Sequence, residues 1–365
     1  MTEGLKRVLL GLAILSLAFS LVFVACKKKE TAEEAEAAAK ETEEKVLISM
    51  ATDVGGLGDK SFNDGCYDGL KKAADELGME ARVVESNQQT DYIPNLSGLA
   101  EDGSEIVFAV GFLMADAMVE VAGQYPDTYF AGIDIDLDPA NAPENALGIL
   151  FKEQQSGYLA GVVAGLLTKE HAGASPKLND ENVVGMVLGM DIPPVERFQA
   201  GFYAGVMSVN PDCEVLSVVT GDFADQAKGK EAALALIERG ADIVFQIAGL
   251  TGVGVINAAK EQGVLAIGVD VDQNHVAPET VVTSAVKGIT QASYLTVKSV
   301  VDDNFQGSQN RTFGLKEKST GIAPFHSFDS VVPQAVKDAV DKAEEAILSG
   351  GVTVPATRKE AGYRG

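Results

Sequence analysis

From residue 46 onward, short apolar runs alternate with longer stretches in which apolar positions recur every three or four residues. The first pattern is that of a buried strand and the second that of a helix with one covered face. Strands are therefore expected at 46–50, 81–85, 106–110, 129–133 and 146–151, with helices at 65–77, 92–101 and 115–124 among them. A second series follows, with helix 154–168, strand 183–188, helix 195–209, strand 214–219, helix 227–238, strand 243–247, helix 253–262 and strand 265–269. Such alternation predicts an α/β class with parallel sheets covered by helices on both faces. In 154–168, Gly157, Gly161 and Gly165 recur every fourth residue, which predicts a helix packed closely on a neighbour.

The remainder holds a strand at 281–286, a helix at 289–303, irregular strands and a last helix at 332–348. These are too few elements for a third domain, so the tail is expected to return to the first lobe and finish in the second. That path makes three crossings, near Phe151, Ala285 and Asn310. Lobe 1 is then 46–151 with 285–310, and lobe 2 is 152–284 with 311–355, leaving 356–365 as a tail.

The amino terminus is different. Lys6 and Arg7 precede an apolar run, 8–25, that meets Cys26. A charged start, an apolar middle and small Ala25 at the end fit an export signal, with an uncleaved membrane anchor as the alternative. Phe23-Val24-Ala25-Cys26 resembles a relaxed lipobox, so 1–25 is expected to be removed and Cys26 lipidated, holding the chain on a membrane. Residues 27–45 are almost entirely Lys, Glu, Ala and Thr, a composition that suits a charged tether. The other two cysteines, Cys66 and Cys213, fall in different predicted lobes and are expected to be free and buried.

With 46% hydrophobic and 22% charged residues the chain can build an ordinary core, but its formal net charge of -24 argues against nucleic acid or anionic lipid headgroups as partners. Chemistry is expected where strands end. In open α/β sheets ligands sit beyond the carboxyl ends of the strands. The stretch from Thr52 to Gly69 is such a strand-to-helix loop, in which Ser61 can cap the following helix while Asp53 and Phe62 are left without a folding role. Comparable endings are Gly111-Phe112, Asp134, Gly189-Met190-Asp191, the 220–225 loop with Phe223, Ala248-Gly249, Asp270 and Lys287. The blander account is that each Asp caps a helix and Phe223 covers a sheet end.

Asp53, the Gly-Gly pair, Ser61-Phe62-Asn63 and Gly69 resemble the first loop of the basic membrane protein family, bacterial lipoproteins that serve as nucleoside-binding components of ABC importers. The segments 189–193, 221–223, 228–230 and 268–273 are similar to that family's as well, so the resemblance spans 46 to about 355. It implies a type I periplasmic-binding-protein fold, with two Rossmann-like lobes joined by a three-segment hinge. It implies, too, a purine nucleoside as ligand, a permease and an ATPase as partners, and no cofactor. By that resemblance Phe62 and Phe223 close on opposite faces of a purine. Asp53, Asn63, Asp134 and Asp270 hydrogen-bond base and ribose, Met190 joins the ligand-binding set from its loop at the mouth, Gly249 permits backbone approach and Lys287 adds a donor. The residue types agree, because ionised carboxylates only accept hydrogen bonds and so favour a donor-rich ligand without negative charge. Nucleosides should bind and nucleotides should not.

Other signals are weaker. The glycines of 249–254 are in the wrong order for a dinucleotide fingerprint. His171, His275 and His326 show no metal spacing, and Lys228 and Lys230 are expected on a helix surface. A sugar-binding or sensory protein of the same fold is the first alternative and a nucleoside hydrolase the second. A monomer is expected, on a membrane surface and facing outward.

Overall fold

Two six-stranded sheets organise the chain, and each repeats one wiring. In the computed structural model, which describes residues 45–170 and 175–364, the first sheet comprises β1 (Leu47–Thr52), β2 (Glu80–Val84), β3 (Ser104–Val110), β4 (Tyr129–Ile133), β5 (Ala146–Phe151) and β11 (Gln309–Phe313). Their order is β11-β5-β4-β3-β1-β2, and every pairing is parallel. The second holds β6 (Val183–Leu188), β7 (Glu214–Val219), β8 (Ala241–Ile247), β9 (Leu265–Asp270), β10 (Val281–Lys287) and β12 (Thr320–Ile322) in the order β12-β10-β9-β8-β6-β7. Only its edge strand β12 runs antiparallel. Both sheets therefore reverse direction of winding between their first and third strands, the place where such folds open a crevice for ligand.

Strand residues alternate between two covered faces, as a sheet wrapped on both sides requires. Ile48 and Met50 of β1 pack with helices α1 (Phe62–Leu77) and α8 (Ile289–Val301), while Ala51 joins α2 (Tyr92–Glu101) and α3 (Ala115–Gln124). In the second lobe, Val184, Met186 and Leu188 face α4 (Glu153–Glu170), α5 (Pro193–Val209) and α9 (Gln334–Leu348). Val183 and Val187 face α6 (Gln226–Glu238) and α7 (Gly249–Gln262). A short helix, α10 (Arg358–Ala361), ends the described chain. Cys66 and Cys213 are free and buried.

The three passages between lobes fall at Lys152, Gly288 and Gly314. Ala285 and Asn310 lie instead within strands, Ala285 paired with Val269 and Ile322 and Asn310 with Gly148. The first of these strands ends at Lys287, one residue past its apolar run, because main-chain pairing with Thr320 continues past the last apolar side chain. The passages are tied side by side: Lys152 N–H donates to Phe313 O at 2.8 Å and Gly288 N–H to Ser319 O at 2.6 Å. The expected tail is part of the second lobe, since Arg358 pairs with Asp191 and Glu196 and the Tyr363 hydroxyl bonds to Ser217. The expected signal segment, Cys26 and the tether lie outside the described residues, as does His171. Among the described residues no helix is long and apolar enough to cross a membrane.

Candidate functional site

One cavity lies where the strand ends of the two lobes meet, with an empty volume of about 540 Å³ that is partly continuous with solvent. Asp53, Phe62, Asn63 and Asp134 reach it from the first lobe, and Phe223, Gly249, Asp270 and Lys287 from the second. Met190 is not among its lining residues. Its carbonyl accepts from the Ile192 N–H at 3.1 Å, a tight turn that presents Ile192, Pro194, Val195 and Phe198 to the cavity in its place.

Local structure explains most of the positions. The Asp53 carboxylate accepts from the Gly55 N–H and from Asn63 Nδ2, both at 2.9 Å. Gly111, at φ +131°, passes so close that a Cβ there would stand 3.0 Å from Asp53 Oδ2. Only glycine combines that conformation with that approach. Asp134 and Asp270 end the fourth strand of their respective sheets, and both are left-handed, at φ 63° and 64°. Aspartate tolerates this region better than most residues, yet holding it costs free energy, and such residues cluster at functional sites.

The helix that follows the first loop is not capped by Ser61. Asp59 does that work, accepting from the N–H groups of Ser61, Asn63 and Asp64. Ser61 Oγ is thereby free to donate across the cleft to Asp270 Oδ2 at 2.6 Å. Gln273 makes a second crossing bond, from Nε2 to Lys60 O at 3.0 Å. The lobes are thus closed upon each other.

Lys287 is almost wholly buried and paired twice, with Asp134 at 2.6 Å and Glu153 at 3.1 Å. Its ammonium is also 5.1 Å from the ring centres of both Phe62 and Phe151. Glu153 in turn holds Arg197. Burial disfavours the ammonium, but Asp134, Glu153 and Asp270 outweigh it, so the Lys287 pKa is raised. Among the carboxylates burial dominates. It raises Asp53 and Asp270, lifts Asp134 to about 6 against the opposing charge of Lys287, and lifts Asp59 to about 7. The acids of the site are thus more ready to hold a proton than solvated ones.

Two buried acceptors at the cavity, Asn63 Oδ1 and Asp134 Oδ1, have no hydrogen-bond partner among the described residues. Phe62 and Phe223 are half-buried. The Phe223 ring lies against Gly189, where any side chain would collide with it. Asp59, Glu153 and Arg197 carry no sequence signal that separates them from ordinary helix-start charges. Among the described residues no group of His, Cys, Asp or Glu is arranged to hold a metal ion. Lys228 and Lys230 lie on the surface, paired with Asp222 and Glu261.

The chain is matched over residues 45–358 by the model of the Bmp family, described as ABC transporter substrate-binding protein, PnrA-like. An uncharacterised lipoprotein of Pyrococcus abyssi is 34% identical over 328 residues, covering 87% of this chain and 77% of that protein. Basic membrane protein A1 of Borrelia garinii is 29% identical over 347 residues, covering 94% and 96%. The crystal structure of an ABC transporter solute-binding protein from Aeropyrum pernix superposes with a TM-score of 0.77 at 27% identity, covering 87% of this chain and 95% of that one. The two lobes are those of a type I periplasmic solute-binding protein.

Proposed function

The chain belongs to the Bmp family of ABC transporter substrate-binding proteins, and from that premise we propose that it captures purine nucleosides between its lobes and delivers them to a membrane permease. The supporting observation is that Phe62 and Phe223, half-buried rings from different lobes, border one cavity. Aromatic faces contribute about 1 to 3 kcal/mol per stacked base, enough to favour a nucleobase over a sugar alone. The orphaned oxygens of Asn63 and Asp134 add a demand for N–H or O–H donors. Inosine, guanosine and adenosine offer both a flat ring and free ribose hydroxyls. A phosphate would meet Asp53, Asp134 and Asp270 with only Lys287 in favour, and that lysine is already paired.

Capture by closure requires contact with both lobes, because only differential contact shifts the open and closed populations. The family role implies a permease and an ATPase as partners. Lipidation at Cys26 holds the protein, a monomer, on the outer face of a membrane, with residues 27–45 as its tether. Titration calorimetry of the full-length protein in detergent, against inosine, guanosine, adenosine and ribose, tests this. Heat with a nucleoside and none with ribose is expected; heat with ribose alone, or with none of the four, overturns it.

A further inference from the structure

Lys287 is gripped from two directions, and the two grips belong to different lobes. Asp134 follows β4 of the first lobe, whereas Glu153 opens helix α4 of the second, the lobe that also carries Lys287 and Arg197. Contacts among Glu153, Arg197 and Lys287 therefore survive any parting of the lobes, while Asp134 meets the lysine only on closure. The Glu153 side chain is 0% exposed, and both its oxygens are engaged by Arg197, one of them also by Lys287. It sits one residue past the Lys152 passage, and Lys287 one residue before the Gly288 passage. The pair thus spans two of the three hinge segments.

Charges at this place sum to a net negative. Lys287 and Arg197 face Asp134 and Glu153, two cations against two anions, and Asp53 and Asp270 add only negative charge to the cavity. No positive charge is left to meet a phosphate. Without the Glu153 carboxylate the net negative charge would fall by one, the Arg197 ion pair would be lost, and Lys287 would be held by Asp134 but no longer by its own lobe.

We infer that Glu153 is a positioning and specificity-determining residue: it holds Lys287 in place before the ligand arrives and supplies one of the negative charges that turn a phosphorylated ligand away. This rests on the nucleoside reading above. Glu153 does not line the cavity, so its influence runs through Lys287 and through the charge balance rather than through contact.

The test is calorimetric titration of the wild-type protein, Glu153→Gln and Glu153→Asp with inosine and with inosine 5′-monophosphate. Wild type should bind inosine and reject the monophosphate. In Glu153→Gln, inosine should bind about tenfold more weakly or worse, as when a buried charge pair loses a partner, and the preference over the monophosphate should narrow by a similar factor. Glu153→Asp keeps the charge but withdraws it by one methylene, so it should weaken inosine while still rejecting the monophosphate. A folded Glu153→Gln protein that matches wild type in affinity and in rejection overturns the inference alone. Should Glu153→Gln fail to fold, wild-type inosine affinity in Glu153→Asp overturns it, and weakened affinity with retained rejection supports it. A wild-type protein that ignores both compounds overturns the nucleoside reading and this inference with it.

Discussion

Phe62 and Phe223 are half-buried beside the cavity, each packed against the edge of a core cluster. Replacing either with Ala should weaken nucleoside binding by about 1 to 3 kcal/mol, measured by calorimetry on protein that a thermal melt shows to be folded. Asp59 and Ser61 should separate stability from closure. Asp59→Ala removes the acceptor of three helix-start N–H groups and should cost about 1 to 2 kcal/mol of stability by urea unfolding, the range for a lost helix cap. Ser61→Ala removes only the bond to Asp270, so it should slow closure rather than unfold the helix. Sequence offers Ser61 as the cap, and the structure uses Asp59. The choice is made by Lys60, whose left-handed backbone at φ 55° swings the Asp59 carboxylate over the helix end. That turn cannot be read from a lysine. The ends of β1, β4 and β9 were legible because a lone Asp closes each apolar run; Glu153 was not, because an acid at a helix start is commonplace.

Among the elements, helices α4 and α5 show how a glycine period becomes contact. A Cβ at Gly157 or Gly161 would strike the carbonyls of Phe198 or Phe202, and one at Gly201 or Gly205 those of Gln154 or Tyr158. Glycine in a helix normally costs about 1 kcal/mol relative to Ala, so a Gly161→Ala exchange in open space would stabilise. Here the added carbon meets main chain, which cannot rotate away, and overpacking costs about 1 to 3 kcal/mol. Gly161→Ala should therefore lower the urea midpoint, and a rise would contradict the packing. The fourfold spacing in 154–168 makes the smooth face visible in sequence. Its partner is hidden, because Gly201 and Gly205 are separated from it by a whole strand and loop. The strands themselves were legible to within a few residues from their apolar runs. The passages at Gly288 and Gly314 were not, since main-chain pairing rather than side-chain character fixes where a strand leaves its sheet.

For the molecule as a whole, four buried acids set an unusual dependence on pH. Asp134 and Asp59 titrate at about 6 and about 7 in the fold instead of 3.8, and Asp53 and Asp270 are raised as well, in each case chiefly by burial. The fold then holds protons that the unfolded chain has released, so the stability they contribute is full below an ordinary carboxylate pKa of about 4 and is lost as pH rises through 6 and 7. The net charge of -24 pushes the same way through self-repulsion. The melting temperature of the ligand-free protein should fall by about 5 °C or more between roughly pH 5 and pH 7.5, and a flat or rising profile would contradict the assignment.

The order of strands has a last consequence. Residues 309–313 form the outer edge of one sheet and residues 320–322 the outer edge of the other. Multidomain chains commonly fold their leading domain while the rest is still being synthesised. Here neither sheet is complete until the chain through residues 313 and 322 has left the ribosome, so the first half cannot finish well ahead of the second. A nascent chain halted at residue 308 should be cut by protease as readily in its first half as in its second.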